Sequence, residues 1–263
     1  MRAAVPALAL GALLAGGLPA SAHDDIPDPA PHGPQRPYED QVDGPRNADG
    51  LSAAISAVPE VRGGVRVRFE RTSAAASGPE ERPAPVRRFV IMFDKSVRLN
   101  TWAFPACDLE ALRADGPSAC PEASRIGGGE YVPWTPPSRP PSDSAEVFVF
   151  NGRSAGRPAL YVWTAGTTLV QTVENVVGGY RKHLGTGLDE ILPVSATPPL
   201  ERAVSAKFVL DFGATTTVHG RPVSFLSTTP RPQKPYRFGY WTEFVTGQRQ
   251  LTTAGAHLTG GAR

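Results

Sequence analysis

Apolar and polar residues alternate along several stretches of the chain, and this alternation predicts β-strands. Residues 64–72 read GVRVRFERT, so that Val65, Val67 and Phe69 share one face of a strand while charged residues occupy the other. The run Phe89–Phe93 is apolar on both faces, which is typical of a central strand buried between two layers. These two stretches predict a sheet with a covered core.

Further stretches of this kind are spread over the chain, with glycine and proline between them. They lie at residues 97–104, 130–132, 146–150, 159–164, 167–177, 188–194, 204–212, 223–228, 236–245 and 250–253. Residues 51–58 instead predict one short helix or turn. Because the strands greatly outnumber the helices and no β-α-β alternation or repeat is present, the expected fold class is all-β, an antiparallel β-sandwich.

Two cysteines, Cys107 and Cys120, enclose the longest ordered connection of the predicted sheet. The intervening residues read DLEALRADGPSA and predict one short helix, with Asp108 at its start and Gly116 past its end. A structural zinc site needs four ligands and redox pairs usually have two residues between the cysteines, so neither pattern is present. We predict a disulfide between Cys107 and Cys120 that closes this helical loop.

Three motifs surround the predicted disulfide: F-P-x-C at 104–107, C-P-x-x-S-x-I-G-x-G at 120–129 and F-N-G at 150–152. In these motifs the chain resembles a family of secreted β-sandwich proteins from high-GC Gram-positive bacteria to which no activity is assigned. The likeness covers roughly residues 65–244, and it implies architecture and location without implying chemistry. From their composition, the three glycines at 127–129 predict a tight turn with positive φ, or a bulge.

The first 22 residues have the features of a signal peptide. They contain one basic residue, Arg2, then an apolar segment, and they end in Ala20-Ser21-Ala22, which suits cleavage before His23. We expect four regions: a signal peptide at 1–22, a disordered proline-rich segment at 23–50, a single β-sandwich domain at 51–253 and a flexible tail at 254–263. No later stretch has the length of a membrane span, so we expect a secreted protein, extracellular or associated with the cell wall.

The charge of the chain is nearly balanced, with 27 basic and 25 acidic residues. This balance gives no indication of nucleic-acid binding. Four arginines, at positions 66, 68, 87 and 88, would form a basic patch for anionic wall polymers if their strands were neighbours. Acidic residues lie among them, so a solvated face is the favoured interpretation.

Few patterns point to catalysis. The zinc-protease motif H-E-x-x-H does not occur in the sequence. A mature N-terminal His23 would supply an amine and a ring to copper, with His32, His183, His219 or His257 as second ligand, but it precedes a flexible segment.

Two of six carboxylates could flank a sugar, as in glycosidases. These are Asp94, Asp108, Asp189, Glu190, Asp211 and Glu243. Ordinary solvated acids are the favoured interpretation, and we predict no cofactor and no metal.

Aromatic residues give the best indication of binding. Tyr131 and Trp134 lie beside a proline-rich loop and are candidate ligand contacts, whereas the aromatic residues of 236–241 fit a core strand. We expect a non-catalytic binding or structural module, whose partner is a cell-wall polymer or an extracellular glycan. The alternative is a secreted carbohydrate-active enzyme or a copper-dependent oxidoreductase.

Overall fold

The computed structural model describes residues 21–22 (backbone only), 26–34, 39–59, 61–139, 143–193, 195–229 and 234–260. Within these residues the chain forms seventeen strands and one α-helix. The strands are β1 (Ser21–Ala22), β2 (Gly50–Ala57), β3 (Gly64–Thr72), β4 (Val86–Asp94), β5 (Arg98–Leu99), β6 (Arg125–Pro133), β7 (Ala145–Ser154), β8 (Arg157–Thr164), β9 (Thr167–Asn175), β10 (Leu184–Ile191), β11 (Ser205–Phe212), β12 (Thr215–Val218), β13 (Arg221–Ser224), β14 (Leu226–Ser227), β15 (Tyr236–Phe244), β16 (Arg249–Ala256) and β17 (Leu258–Thr259). The helix is α1 (Leu109–Asp115), and short 3-10 turns lie at Thr101–Ala103, Pro117–Ala119, Glu122–Ser124, Gly178–Lys182 and Pro199–Glu201.

Fifteen strands belong to one sheet, in the order β1-β16-β15-β4-β10-β9-β8-β7-β6-β11-β3-β14-β5. β2 pairs with β3, and it also pairs with β17, the only parallel neighbour among the described strands. Because β17 directly follows β16 in the chain, its pairing with β2 brings β16 close to β2 and β3. β12 and β13 form a separate hairpin. The predicted all-β, antiparallel sandwich is confirmed, and its two layers are parts of one continuous sheet.

The core lies between the two layers and is rich in phenylalanine. The ring of Phe69 on β3 packs edge-on against Phe93 on β4 at 5.2 Å and against Phe238 on β15 at 5.3 Å. Phe212 on β11 completes this group, at 6.3 Å from Phe69. All four rings are almost fully buried, and aromatic side chains bury more apolar area than any other type. The alternation of apolar positions on β3 and β4 correctly predicted both strands.

The disulfide and the helix that it encloses cover the outer face of the β7-β8 hairpin. Cys107 and Cys120 are bonded, as predicted, and α1 begins at Asp108, whose carboxylate accepts from the Ala111 N–H at 2.8 Å. Gly116 ends the helix with φ of 76°. The buried Leu112 packs with both cysteines against the hairpin. This loop was predicted correctly because cap residues and cysteine spacing are local signals.

Asn151 of the F-N-G motif joins this loop to the sheet. Its amide nitrogen lies 2.8 Å from the Phe104 carbonyl oxygen and 3.0 Å from that of Thr101. The main-chain carbonyl oxygen of Asn151 accepts a hydrogen bond from the main-chain N–H of Cys107 at 2.8 Å. The residues that carry the family resemblance therefore have structural roles around the disulfide. The strand predicted at 97–104 is shorter than expected, because β5 ends at Leu99 and a 3-10 turn at Thr101–Ala103 follows, in which Trp102 is 67% exposed.

Several predictions about the chain ends were wrong. Residues 51–57 are not a helix or turn but belong to β2, which pairs with β3 from Val65 to Thr72. The described parts of 23–50, which were predicted to be disordered, pack against the sheet, and Asn47 and Asp49 are buried. The predicted tail begins inside β16, and β17 follows it. Residues 1–20 of the predicted signal peptide and His23 lie outside the described residues.

The three glycines at 127–129 do not form a turn. They lie within β6, between β7 and β11, with a register shift between Arg125 and Gly127 at the β7 side. A Cβ atom at Gly127 would collide with the carbonyl oxygen of Asp211, and one at Gly129 with that of Val209. Glycine is therefore required for close approach of the neighbouring backbone rather than for positive φ.

The described helices are short. None of them has both the length and the apolar character that crossing a membrane requires.

Candidate functional site

A cavity of about 310 Å³ opens between the two layers at one end of the sandwich. Most of its wall is apolar, and strands from both layers contribute to it. The lining residues are Arg71, Val86, Phe89, Tyr131, Thr164, Ala165, Thr167, Leu169, Leu192, Ala203, Val204, Ser205, Phe208 and Tyr240. The volume is at the lower end of the range of about 300–1,000 Å³ that is usual for small-molecule sites. The cavity is the best-formed apolar site in the described residues.

The strand pattern explains how a charged residue reaches this apolar cavity. On β3 the inward positions Val65, Val67 and Phe69 are followed two residues later by Arg71, which therefore also points between the layers. Arg71 is 4% exposed. On β15 the same periodicity continues from the buried Phe238 to Tyr240. The Arg71 guanidinium lies 5.4 Å from the centre of the Tyr240 ring, a cation–π distance.

Asp49 neutralises Arg71 at the inner end of the cavity. The Arg71 Nε donates to Asp49 at 2.8 Å, and an Nη2 also donates to the same carboxylate. Further bonds link Arg71 to Ser73 and Ser205, each at 3.2 Å. Burial alone would lower the pKa of Arg71, but the charge of Asp49 outweighs that effect and raises it. The cavity thus ends in a fixed, charge-balanced polar group.

Asp49 and the nearby Asn47 are held by two glutamines, Gln250 in β16 and Gln248 just before it. The Asp49 N–H donates to the Gln250 side chain at 3.2 Å, and the Asn47 N–H donates to that of Gln248 at 2.7 Å. Asn47 also bonds through its side chain to both backbone groups of Ala84. Two residues of the N-terminal segment are therefore integral parts of the site's support.

Two hydroxyl groups in the cavity wall have no hydrogen-bond partner among the residues that the structure describes. One belongs to Tyr240, and the other to the buried Thr164. Burial strongly raises the pKa of Tyr240, so its hydroxyl keeps its proton and can donate. The Thr164 Oγ1 has almost no accessible surface, so of these two hydroxyls the one of Tyr240 is available to water or to a ligand.

The mouth of the cavity is bordered by the connection between β10 and β11, which side chains hold in place. Arg82 donates to the carbonyl oxygens of Leu200 and Arg202. Arg202 in turn forms an ion pair with Glu39 from the N-terminal segment. On the opposite side, the Tyr131 hydroxyl lies 3.4 Å from the Val204 carbonyl oxygen. Burial raises the pKa of Tyr131, in agreement with its place in the cavity wall.

The residues that the sequence suggested as ligand contacts are separated by the structure. Tyr131 lines the cavity. Trp134 is half-buried nearby, and its main-chain N–H donates to the Val204 carbonyl oxygen at 2.8 Å. Its side chain does not line the cavity. The disulfide lies on the outer face of the hairpin, in a different cluster from the cavity wall. Tyr131 therefore remains the candidate contact, and Trp134 supports the loop behind it.

The acids considered for catalysis have separate structural partners rather than a common cleft. Two of them bond to the main chain: Asp94 accepts from the N–H groups of Ser96 and Arg237, and Asp108 caps α1. Three lie beside arginines: Asp189 pairs with Arg88, Glu243 pairs with Arg249, and Asp211 lies near Arg66 and Arg68. Glu190 accepts a hydrogen bond from the Gln171 side chain. The four arginines of the predicted basic patch include three of these partners, so the patch is largely neutralised. Among the described residues, no three His, Cys, Asp or Glu side chains are grouped to hold a metal ion.

Sequence reasoning missed Arg71, Asp49 and Tyr240 as site residues. The sequence pattern did indicate two of them. Arg71 lies two residues after Phe69, the last inward-facing apolar residue of β3. Asp49 lies two residues before Leu51, so it shares the inward face of β2. A charged residue in phase with an apolar face indicates a buried polar site. Comparison with protein-family models, with curated proteins and with solved structures gives no match.

Proposed function

We propose that this chain is an exported, non-catalytic binding module that holds one small, mainly apolar molecule in the cavity between its layers. The observation that carries this proposal is an apolar cavity with the Tyr240 hydroxyl, which has no hydrogen-bond partner among the described residues, in its wall. Such a cavity has the character of a ligand site, in which a few polar groups fix the orientation of an apolar molecule.

The polar groups define the chemistry of the ligand. The Arg71 charge is neutralised by Asp49, so the site does not favour a fully charged ligand. The Tyr240 hydroxyl offers one donor, and the flanking side chains Phe89, Leu169 and Phe208 are apolar. The fitting ligand is an apolar or aromatic molecule with one hydrogen-bond acceptor, such as a carbonyl group. We favour such a ligand over a glycan because most of the cavity wall is apolar.

Export is supported by the signal-peptide pattern and by the disulfide, which is typical of oxidising compartments. For the carbohydrate-active alternative, the described residues place no pair of acids in the cavity wall, where Arg71 is the one charged residue among them. The copper alternative depends on His23, which lies outside the described residues.

The binding test uses the neutral fluorescent probe N-phenyl-1-naphthylamine, whose emission increases in apolar sites. We expect saturable binding to the folded protein. Leu169→Trp, which fills the cavity, should weaken binding at least tenfold. The matched control is Leu251→Trp, the same change at a half-buried leucine of the outer cluster, which should leave binding within twofold. Urea denaturation confirms that both variants are folded. Equal binding by both variants would contradict the assignment of the cavity.

A second measurement tests the role of the hydroxyl. Two competitors of similar shape, 2-acetylnaphthalene and 2-ethylnaphthalene, differ in the presence of a carbonyl acceptor. A net hydrogen bond of about 1 kcal/mol predicts that the acetyl compound displaces the probe about fivefold more tightly. Tyr240→Phe should remove this preference while leaving probe binding unchanged. A preference that persists in Tyr240→Phe would show that another group recognises the acceptor.

A further inference from the structure

A groove of about 720 Å³ lies at the other end of the sandwich and has the opposite character from the cavity. Its lining residues are Asp94, Lys95, Lys182, His183, Lys234, Pro235 and Arg237. β4 connects the two sites, because Val86 at its start lines the cavity and Asp94 at its end lines the groove. Phe89, which also lines the cavity, lies five residues before Asp94, so at about 3.3 Å per residue the two sites are separated by roughly 17 Å along the strand. The groove is therefore a separate site.

Exposed cations from three parts of the chain converge on this groove. They are Lys95 after β4, Lys182 before β10, and Lys234 with Arg237 at the start of β15. Arg181 lines the neighbouring depression, to which Lys95 also contributes. Among the described residues, none of these five side chains forms an ion pair. Three of the four lysines in the whole sequence lie in this one groove.

The backbone of the groove is held in a fixed arrangement. The Lys95 N–H donates to the His183 carbonyl oxygen at 2.9 Å, and the Lys95 Nζ donates to that of Lys182 at 3.0 Å. Asp94 accepts from the Ser96 N–H at 2.9 Å and from the Arg237 N–H at 3.0 Å. The one carboxylate of the groove thus bonds to the main chain, and the cationic side chains extend from a rigid base.

We propose that this groove binds a polymer that carries repeated phosphate groups. Several lysine ammonium groups along a concave surface act as point charges that can contact successive phosphates, whereas a single small anion would contact only some of them. Multivalent contact of this kind gives a high affinity at low salt that falls steeply as salt is added. This site is independent of the cavity.

The environment of His183 provides a spectroscopic reporter in the groove. Burial and the neighbouring charges of Arg237, Lys182 and Lys95 lower the pKa of its imidazole, and Asp94 alone opposes them. A bound polyanion would neutralise those cations and favour the protonated ring. The pKa of His183 should therefore rise when the groove is occupied.

The probe is inorganic polyphosphate, with orthophosphate and polyglutamate as comparison anions. We expect polyphosphate to bind the folded protein at low salt at least tenfold more tightly than either comparison anion, and to raise the pKa of His183 in NMR titrations. Lys182→Glu/Lys234→Glu should weaken polyphosphate binding at least tenfold. The charge-matched control, Arg113→Glu/Arg139→Glu, changes two exposed arginines outside the groove. Its affinity for polyphosphate should stay within threefold of the wild-type value.

Three results would overturn the proposal. Equal losses of polyphosphate affinity in the two double variants would show that binding depends on the net charge of the protein alone. Polyglutamate binding as tightly as polyphosphate would exclude recognition of phosphate. Polyphosphate binding without a change in the pKa of His183 would place the polymer elsewhere on the surface. Because the cavity lies at the far end, its probe binding should be unchanged in Lys182→Glu/Lys234→Glu, so the two proposals fail independently.

Discussion

The buried pair of Arg71 and Asp49 offers a strong test of how the N-terminal segment supports the site. Their side chains are 4% and 1% exposed, so neither charge is screened by water. Replacing only Asp49 by leucine leaves a buried guanidinium without a counter-charge. Breaking a buried ion pair in this way typically costs about 3–5 kcal/mol of unfolding free energy. Arg71→Met should cost a similar amount, because it leaves the carboxylate unpaired.

The double variant Asp49→Leu/Arg71→Met should recover most of that loss, because two apolar side chains can pack in the same space. We expect a coupling energy of at least about 2 kcal/mol between the two sites. Urea denaturation at pH 7, followed by tryptophan fluorescence, measures all four proteins. Glu110→Leu, which breaks the exposed pair with Arg113, is the control and should cost less than about 1 kcal/mol.

The Arg71→Met variant should also have a characteristic pH dependence. Burial raises the pKa of Asp49, and the charge of Arg71 opposes that rise, so removing Arg71 raises the pKa further. A carboxyl group whose folded pKa exceeds its unfolded value stabilises the fold at low pH and loses this contribution as pH rises through the folded pKa. The deficit relative to wild type should therefore shrink toward pH 4. Additive single losses, or a deficit independent of pH, would refute this reasoning.

Three further predictions concern the structural elements around the sheet. Cys107→Ser/Cys120→Ser should lower the unfolding free energy by about 3 kcal/mol, and an unchanged urea midpoint would contradict this. Gly129→Ala should cost about 1–3 kcal/mol through collision with the adjacent strand, whereas Gly179→Ala, which has open space around its Cβ, should be near neutral in the same assay. Asn151→Ala leaves buried carbonyl groups unpaired, so it should cost about 1–3 kcal/mol and increase amide exchange in the disulfide loop; unchanged exchange would argue against this role.

The parts of the fold that the sequence predicted well depend on local signals. The alternation on β3, the apolar run of β4 and the caps of α1 each involve residues close together in the chain. The predicted strand stretches 146–150 and 159–164 lie in β7 and β8, which form a hairpin with its turn at Ala155-Gly156. Period-two burial and helix capping are the physical reasons for this success.

The parts that were predicted wrongly depend on partners far along the chain. Asn47 and Gln248 are 201 positions apart, so a polar, proline-rich segment gave no local indication that it would be buried. The turn expected at the glycines of β6 does not form, whereas the alternative of a bulge agrees with the register shift beside Gly127. A turn and a close strand approach both favour glycine, and only the neighbouring strands distinguish them. The cavity was missed for the same reason, because it forms only where β3, β4, β6 and β15 meet.

The most direct test of the proposed function is methyl NMR of the folded protein during titration with 2-acetylnaphthalene. Leucine and valine methyl groups report on both ends of the sandwich. The proposal predicts saturable shift changes that are largest at Leu169, Leu192 and Val204, which line the cavity, and small at Leu251 and Leu258, which do not. Shift changes that are largest at Leu251, or no saturable change at the cavity residues, would contradict it.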